Sequence, residues 1–328
     1  IKEFYTNNSK ATVTNSNLTY NTATSVSLMN DRLGGTTTDL DGGNIRYYGA
    51  SPNNYIYFNC SDYSNQSSST CEIWRIIGVF DGKVKIIRNE PIGEYSWDNK
   101  NTSTGAETNY GKNDWTTARL MKLLNPSDYY TIDSNDNGLG QSLYWNSTSG
   151  QCYSGKNNAT VDCDFTSTGI KNSTTRNLIF EEDWNIGGYN SSSRYSNEIY
   201  CNERGTTVYS GRPTTWTGKI GLMYPSDYGY AADLSKCTKT LSKYNDSTCT
   251  SNNWLKAILG TSNYGWLLTP ASSFSYVSWY VYSSGYVHNS EYDYIFGVAG
   301  VIPTLYLVPE VSISSGDGSS SSPYQLAV

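Results

Sequence analysis

The sequence contains few charged residues and a single histidine, and these shortages exclude several classes of function. Only 16% of its 328 residues are charged, with 23 Lys and Arg against 29 Asp and Glu, for a net charge of −6. Because phosphate binding requires clustered Lys and Arg, we expect no nucleic-acid partner. One histidine leaves little scope for histidine-based catalysis or a multi-histidine metal site, so we expect neither a metal nor a cofactor.

The sequence also lacks any apolar run of the roughly 18 residues that a membrane-spanning helix needs, and we expect no such helix. Aromatic residues, in contrast, are abundant, since the chain has 30 tyrosines and 9 tryptophans. This content argues against a disordered chain. Uncharged polar residues combined with tyrosine are typical of binding surfaces rather than of active sites.

Seven cysteines are present, and six of them lie in pairs that are close in the sequence. The members of each pair are 11 or 12 residues apart: Cys60 and Cys71, Cys152 and Cys163, Cys237 and Cys249. Zinc sites need shorter spacings, so we expect three local disulfides and therefore an extracellular protein. Cys201 has no neighbour of its own type in the sequence, which leaves a buried thiol and an intermolecular disulfide as alternatives.

The composition divides the chain into a lead-in and one domain. Residues 1–40 are rich in Asn and Thr and show little periodicity, so we expect them to form an extended lead-in. Residues 41–328 combine short β-branched or aromatic runs with short helical patterns. This combination predicts a single α+β domain with several short helices and antiparallel strands.

The local patterns locate individual elements within this domain. Asp81-Gly82 separates two β-branched runs, 72–80 and 83–88, and is a strong signal for a hairpin turn. Apolar residues at helical spacing, with capping residues before them, predict short helices at 113–124, 173–182, 196–204 and 254–259. From residue 265 onward the pattern is that of strands, and the last of these is expected near residues 324–326.

Segment 272–296 has the most unusual composition, with six tyrosines and seven serines in 25 residues. Period-two alternation places Val277, Trp279 and Val281 on one face and predicts that the Tyr and Ser residues between them face outward. Tyrosine offers a large, rigid contact area with a polar tip, which is typical of binding surfaces. The expected ligand-binding residues are Ser273, Phe274, Tyr276, Ser278, Tyr280, Tyr282, Tyr286, His288, Asn289, Tyr292, Asp293 and Tyr294. The alternative is a polar outer sheet face in a chain that is rich in tyrosine throughout.

Several short motifs, in order, resemble those of a known family. They are Glu72-Ile-Trp-Arg-Ile-Ile77, Trp184-Asn-Ile-Gly-Gly188, residues 218–229, Trp266-Leu-Leu-Thr-Pro270, Phe296-Gly-Val298 and Pro303-Thr-Leu-Tyr-Leu307. The Tyr/Ser-rich hairpin lies between Pro270 and Phe296. Through these motifs, residues 41–328 resemble the variable proteins of bacterial diversity-generating retroelements. Those proteins have a C-type-lectin-like fold of the formylglycine-generating-enzyme type. The resemblance implies a bacterial surface protein whose segment 272–296 is rewritten by adenine-targeted mutagenesis, with Trp279 and Glu291 as fixed positions.

The resemblance also implies a binding partner and a means by which the protein is anchored to the cell. The expected partner is a protein or glycan on another cell or on a phage. Members of the group often resemble pilins with an N-terminal anchoring helix, and the start Ile1-Lys-Glu-Phe-Tyr-Thr6 would suit the point after such a helix. Formylglycine-generating enzymes use paired cysteines near the C-terminus, and this chain has no cysteine after Cys249, so we expect a binding protein rather than an enzyme.

Three rival interpretations start from other residues. Carboxylate pairs such as Glu181 with Glu182, or Asp227 with Asp233, would suit a glycosidase. The run Asp133-Ser-Asn135-Asp-Asn137-Gly138 matches the start of a calcium-binding loop, but its twelfth position is Tyr144 rather than the bidentate Glu. A structural subunit of a pilus or surface layer would use an unpaired last strand, near residues 324–326, to pair with a neighbouring subunit.

Overall fold

The structure is a computed structural model that describes residues 1–16, 18–32, 43–99, 110–132, 138–289, 295 and 297–328. This part of the chain is α+β, with antiparallel sheets and short helices, as the sequence predicted. Its strands are β1 (Ala11–Asn15), β2 (Leu18–Ala23), β3 (Leu28–Asn30), β4 (Ile45–Tyr47), β5 (Tyr55–Phe58), β6 (Glu72–Phe80), β7 (Lys83–Arg88), β8 (Glu94–Ser96), β9 (Ser149–Tyr153), β10 (Thr160–Asp164), β11 (Glu182–Asn185), β12 (Thr215–Gly218), β13 (Ile220–Gly221), β14 (Tyr264–Pro270), β15 (Ser278–Tyr282), β16 (Val287–His288), β17 (Val298–Gly300), β18 (Thr304–Tyr306), β19 (Ser312–Ser315) and β20 (Gln325–Ala327). Its α-helices are α1 (Lys2–Asn7), α2 (Arg119–Leu124), α3 (Leu143–Asn146), α4 (Ser173–Leu178), α5 (Ser196–Glu203), α6 (Pro225–Tyr230), α7 (Ser247–Thr250) and α8 (Trp254–Ala257).

Two sheets organise the fold. The larger has nine strands in the order β1-β2-β3-β4-β6-β7-β18-β13, with β5 also paired to β6. The smaller has five strands in the order β16-β15-β14-β17-β8, and only its β14–β17 pairing is parallel. The predicted β6–β7 hairpin is confirmed, because Asp81 and Gly82 both adopt positive φ angles, +48° and +79°. Two such residues in sequence are what a tight two-residue hairpin turn requires.

The predicted helices are shorter than their apolar patterns suggested. Helix α5 matches its prediction closely, but α2 begins only at Arg119 because the side chain of Asn113 bonds to a distant loop instead of capping a helix. Helix α4 ends at Leu178, since Ile179 pairs with Leu307 and the chain then enters β11. In each case long-range pairing ended an element that local propensity would have continued.

Residues 1–32 are not the extended lead-in that their composition suggested. Strands β1, β2 and β3 join the larger sheet through antiparallel pairing of β3 with β4. Ala23 and Leu28 are completely buried in the core. Asn and Thr residues occupy both exposed positions, such as Thr14 and Asn21, and buried ones, Asn15 and Thr22, which hides the alternation of buried residues in the sequence.

The last strand is not unpaired, as the filament interpretation required. Strand β20 pairs with β19, and Tyr324, just before it, bridges to Ile56 of β5. Gln66 also donates to the Leu326 carbonyl and accepts from the Leu326 amide. The backbone of this strand is therefore engaged within its own chain.

The six paired cysteines form the three predicted disulfides, Cys60–Cys71, Cys152–Cys163 and Cys237–Cys249. Cys201, on α5, belongs to none of them. Structural disulfides persist in oxidising compartments, so these three are consistent with a secreted or extracellular protein. Within the described part of the chain, no helix combines the length and the apolar character needed to cross a membrane.

Four charged side chains form a buried ion cluster between the larger sheet and α6. Arg46 of β4 contacts Asp31 at 2.6 Å and Asp227 at 3.0 Å, and Lys85 of β7 contacts Asp227 at 2.5 Å. All four side chains are at most 4% exposed. The charges of the two cations and the two carboxylates cancel. Such pairing offsets the free-energy cost of removing charged groups from water.

Two further buried carboxyl groups make stability depend on pH. Burial raises the pKa of Glu203 to about 7 and that of Asp98 to about 6. Since the folded protein holds these protons more tightly than the unfolded chain, their contribution is complete only below the ordinary pKa values, 3.8 for Asp98 and 4.5 for Glu203, and is lost as the pH rises through 6 and 7. We expect the free energy of unfolding to fall by on the order of 4 kcal/mol between pH 5 and pH 7.5.

Urea unfolding at both pH values measures this difference. Replacing Glu203 by glutamine mimics the protonated carboxyl group, which lies beside the amide and hydroxyl of Ser226. The E203Q variant should therefore show a clearly smaller loss than the wild type. Equal stability of the wild type at both pH values would contradict the assignment.

Candidate functional site

Residues 278–288 of the Tyr/Ser-rich segment form a hairpin in the smaller sheet. Strand β15 lies between β14 and β16, with Tyr280 opposite His288 and Val281 opposite Val287. The turn passes through Gly285, whose φ is +107° and whose carbonyl accepts a hydrogen bond from the Tyr228 hydroxyl at 2.7 Å. A side chain at this glycine would meet Thr250 and the backbone of Tyr244, so the turn is fixed against the body of the protein.

The inner face of this hairpin matches the prediction. Trp279, Val281 and Val287 have no exposed surface. The Trp279 indole stacks on the Tyr189 ring with centroids 4.1 Å apart and donates its N–H to the Tyr189 carbonyl at 3.2 Å. These contacts hold the hairpin rigidly, so that its other face is presented on a fixed backbone.

The other face carries aromatic rings in mutual contact. Tyr282 stacks on Tyr286 at 4.4 Å and meets Tyr264 edge-on at 4.7 Å, while Tyr286 lies 5.9 Å from His288. These four half-buried residues are called the aromatic surface below, and Tyr280 packs beneath them. Sequence reasoning missed Tyr264, which lies outside the Tyr/Ser-rich segment and joins the group because β14 pairs with β15.

Ser278 and Tyr280 do not face outward, contrary to the alternation argument. They are 0% and 1% exposed. Ser278 donates its hydroxyl to the Thr269 carbonyl at 2.9 Å, and the Tyr280 ring is enclosed by the rings of Trp266 and Tyr264. The physical reason is that β15 is an inner strand, so side chains from its neighbours cover both of its faces.

A second group of predicted residues lies on the loop that precedes β15. Ser273 is exposed, and Phe274 and Tyr276 are half-buried, with ring centroids 6.1 Å apart. Tyr110 adds a further ring 5.2 Å from that of Tyr276. Asn289, which follows β16, is half-buried. The predicted residues Tyr292, Asp293 and Tyr294 lie outside the described part of the chain.

Two buried polar residues hold this loop in place, and the sequence did not assign either of them to the site. The Asn113 side-chain amide donates to the carbonyls of Ala271, Phe274 and Val277 at 2.7–2.9 Å. Arg212 bonds to the Asn113 side-chain oxygen at 3.0 Å and to the Ser275 carbonyl at 3.1 Å. One asparagine thus satisfies three loop carbonyls, which defines the loop conformation without regular secondary structure.

The carboxylate pairs proposed for an enzyme are separated by their other contacts. Glu182 binds Lys83 at 2.7 Å, and Glu181 accepts a hydrogen bond from Tyr129. Asp227 belongs to the buried ion cluster, whereas Asp233 contacts Lys236 at 3.1 Å on the surface. Neither pair is arranged around a shared cleft.

Metal binding has no site among the described residues, where no group of three or more His, Cys, Asp and Glu side chains could hold an ion. The run that resembles the start of a calcium-binding loop, residues 133–138, falls almost entirely outside the described ranges, and only Gly138 is included. The chemistry available at the hairpin is therefore that of aromatic rings, hydroxyl groups and one imidazole. Such groups can form contacts by shape and by hydrogen bonding.

No family model, no curated protein and no solved structure matches this chain.

Proposed function

We propose that this chain is an extracellular, adhesin-type protein that binds its ligand through the aromatic surface and the adjoining loop 271–277. The observation that carries the proposal is the continuous contact of Tyr264, Tyr282, Tyr286 and His288, half-exposed on a hairpin whose opposite face is completely buried. Aromatic side chains held on a rigid backbone lose little conformational entropy on binding.

The chemistry of the surface favours a protein or glycan as ligand. No Lys or Arg occurs after Lys256, so the hairpin and its flanking strands contribute no cation for an anionic ligand. Tyrosine rings stack on apolar faces while their hydroxyl groups exchange hydrogen bonds at the rim. The protein binds this ligand outside the cell, and the three disulfides support that extracellular location.

The finer proposal is that this hairpin is the variable segment of a diversity-generating retroelement protein with a C-type-lectin-like fold. It is supported by the resemblance of the motifs and by the division between buried and exposed positions on β15 and β16. Under this proposal, Tyr282, Tyr286 and His288 vary between isolates, whereas Trp279 and Tyr280 do not.

Sequencing the same locus from many isolates tests this division directly. Substitutions should be concentrated at the exposed positions of segment 272–296 and be rare at its buried ones. A nearby reverse-transcriptase gene and a near-copy of the segment's coding sequence should accompany them. Variation spread evenly over buried and exposed codons would reject diversification.

Replacing Tyr282 and Tyr286 together by alanine should reduce ligand binding by at least about tenfold, because the two stacked rings form the centre of the aromatic surface. The measurement is fluorescence of the labelled protein on a microarray of bacterial and host glycans. Tyr57→Ala, a half-buried tyrosine of β5 in the other sheet, serves as the matched control and should bind as the wild type does. Unchanged binding by the double variant would show that the ligand is bound elsewhere.

A further inference from the structure

Lys85 and Asp227 meet in the protein core under conditions that suit a chemical reaction between them. The Lys85 Nζ atom lies 2.5 Å from Oδ2 of Asp227, and their side chains are 0% and 1% exposed. Lys85 comes from β7 and Asp227 from α6, 142 residues later in the chain. Their meeting is therefore fixed by the tertiary fold and not by local structure.

The surroundings of the amine are aromatic. The rings of Phe80, Trp184, Tyr224 and Tyr306 have their centroids 4.2–5.5 Å from the Lys85 Nζ atom. Burial lowers the pKa of Lys85 to about 8, although Asp227 opposes the shift. A proton transfer across the short contact gives the neutral amine that attack requires and places the proton on Oδ2, the oxygen that leaves.

The carboxyl group is held for attack at its carbon. Oδ1 accepts a hydrogen bond from Nη1 of Arg46 at 3.0 Å, and Oδ2 accepts one from the Tyr224 amide at 3.0 Å. Negative charge that develops on Oδ1 during attack is stabilised by the Arg46 guanidinium, which is fixed in place by Asp31. The amine is thus held within hydrogen-bond distance of the carboxyl group that it would attack.

We propose that Lys85 and Asp227 close an intramolecular isopeptide bond in the mature protein. The Nζ–Cγ bond forms and the Cγ–Oδ2 bond breaks. Oδ2 leaves as water with two of the three protons of the ammonium group, and the third proton stays on the amide nitrogen. No oxidant, reductant or second substrate is consumed.

The cluster remains balanced after the bond closes. One cation and one carboxylate disappear together, and Arg46 keeps its contact with Asp31 while donating to the new amide oxygen. The bond ties the centre of the larger sheet to α6 and closes a loop of 142 residues. Such a link restricts the unfolded chain and resists extension of the protein by an external force, in addition to the three short-range disulfides.

Mass spectrometry of the intact wild-type protein after denaturation and reduction tests the proposal. The measured mass should be lower than the sequence mass by one water. A tryptic digest should contain residues 84–88 joined to residues 220–236, without cleavage at Lys85, because trypsin needs a free lysine side chain. Succinimide at an Asp-Gly sequence also removes one water, so hydroxylamine treatment, which opens a succinimide but spares an amide, precedes the measurement.

The Lys85→Arg variant keeps the positive charge but lacks the nucleophilic amine, and it should show the full sequence mass. Three results would overturn the proposal: a wild type with the full mass after prolonged incubation at pH 8, free tryptic peptides ending at Lys85, or a loss of water located in another peptide. Because the wild type itself is measured, the test does not depend on the folding of the variant. Its outcome is also independent of ligand binding by the aromatic surface.

Discussion

Replacing Trp279 by alanine will lower the free energy of unfolding by about 3–5 kcal/mol. The indole has no exposed surface, stacks on Tyr189 at 4.1 Å and donates a hydrogen bond to the Tyr189 carbonyl. Its removal leaves a cavity and also removes one of the two hydrogen bonds that the Tyr189 carbonyl accepts, since the Ser272 amide supplies the other, and both effects destabilise the folded state. Urea unfolding followed by circular dichroism measures the loss.

The matched control lies three residues away on the same hairpin. Tyr282→Ala removes a half-buried ring from the aromatic surface and should cost much less stability than Trp279→Ala. If both variants lost the same free energy of unfolding, Tyr282 would belong to the core and the aromatic surface would not be a contact surface. A stable Trp279→Ala variant would instead show that the hairpin packs differently.

Binding measurements distinguish the residue that supports the aromatic surface, Trp279, from residues that contact the ligand. Trp279→Ala should weaken binding only as far as it disorders the hairpin, and low temperature should restore part of that binding. The Tyr282 and Tyr286 double variant should lose binding while remaining folded. The two variants therefore distinguish a residue that positions the aromatic surface from residues that form it.

The sequence was a reliable guide where local chemistry decides the structure. The Asp81-Gly82 turn and the three short disulfide loops depend on neighbouring residues, and all of them were predicted correctly. Alternation also identified Trp279 and Val281 as core residues. These features share one property, since each is determined within about a dozen residues of chain.

Long-range packing decided the rest of the site. Alternation describes the two faces of one strand but does not say whether the second face is covered, and Tyr280 is buried because Trp266 and Tyr264 of β14 close over it. Asn113 gave a helix-capping signal, yet it bonds to loop carbonyls more than 150 residues away in the chain. The Asn-rich and Thr-rich start was mistaken for a lead-in because its strands β1 and β2 contain few apolar residues and are held in the sheet by backbone pairing.

Replacing Asp227 by alanine will destabilise the protein by about 3–5 kcal/mol, because it leaves the buried charges of Lys85 and Arg46 with only Asp31 to balance them. Burial acts to raise the pKa of Asp227, but the charges of Lys85 and Arg46 outweigh it and hold that pKa below its usual value. Asp227 also accepts a hydrogen bond from the Tyr224 amide at the start of α6, which the variant loses. Thermal and urea unfolding at pH 7 measure the change, with Asp128→Ala, an exposed carboxylate, as a control that should remain near wild-type stability.

A double variant, Lys85→Met with Asp227→Ala, separates the buried charge from the proposed covalent bond. Neither the single variant nor the double variant can form the isopeptide, so the difference between them reports the uncompensated ammonium group alone. Removing that charge should recover part of the stability lost in Asp227→Ala, because a methionine side chain has no charge to desolvate among the surrounding rings. A double variant less stable than the single one would mean that Lys85 contributes by packing rather than by its pairing with Asp227. Any stability that the wild type retains above the double variant then combines the capping bond with the cross-link, or with the ion pair in molecules where the cross-link has not formed.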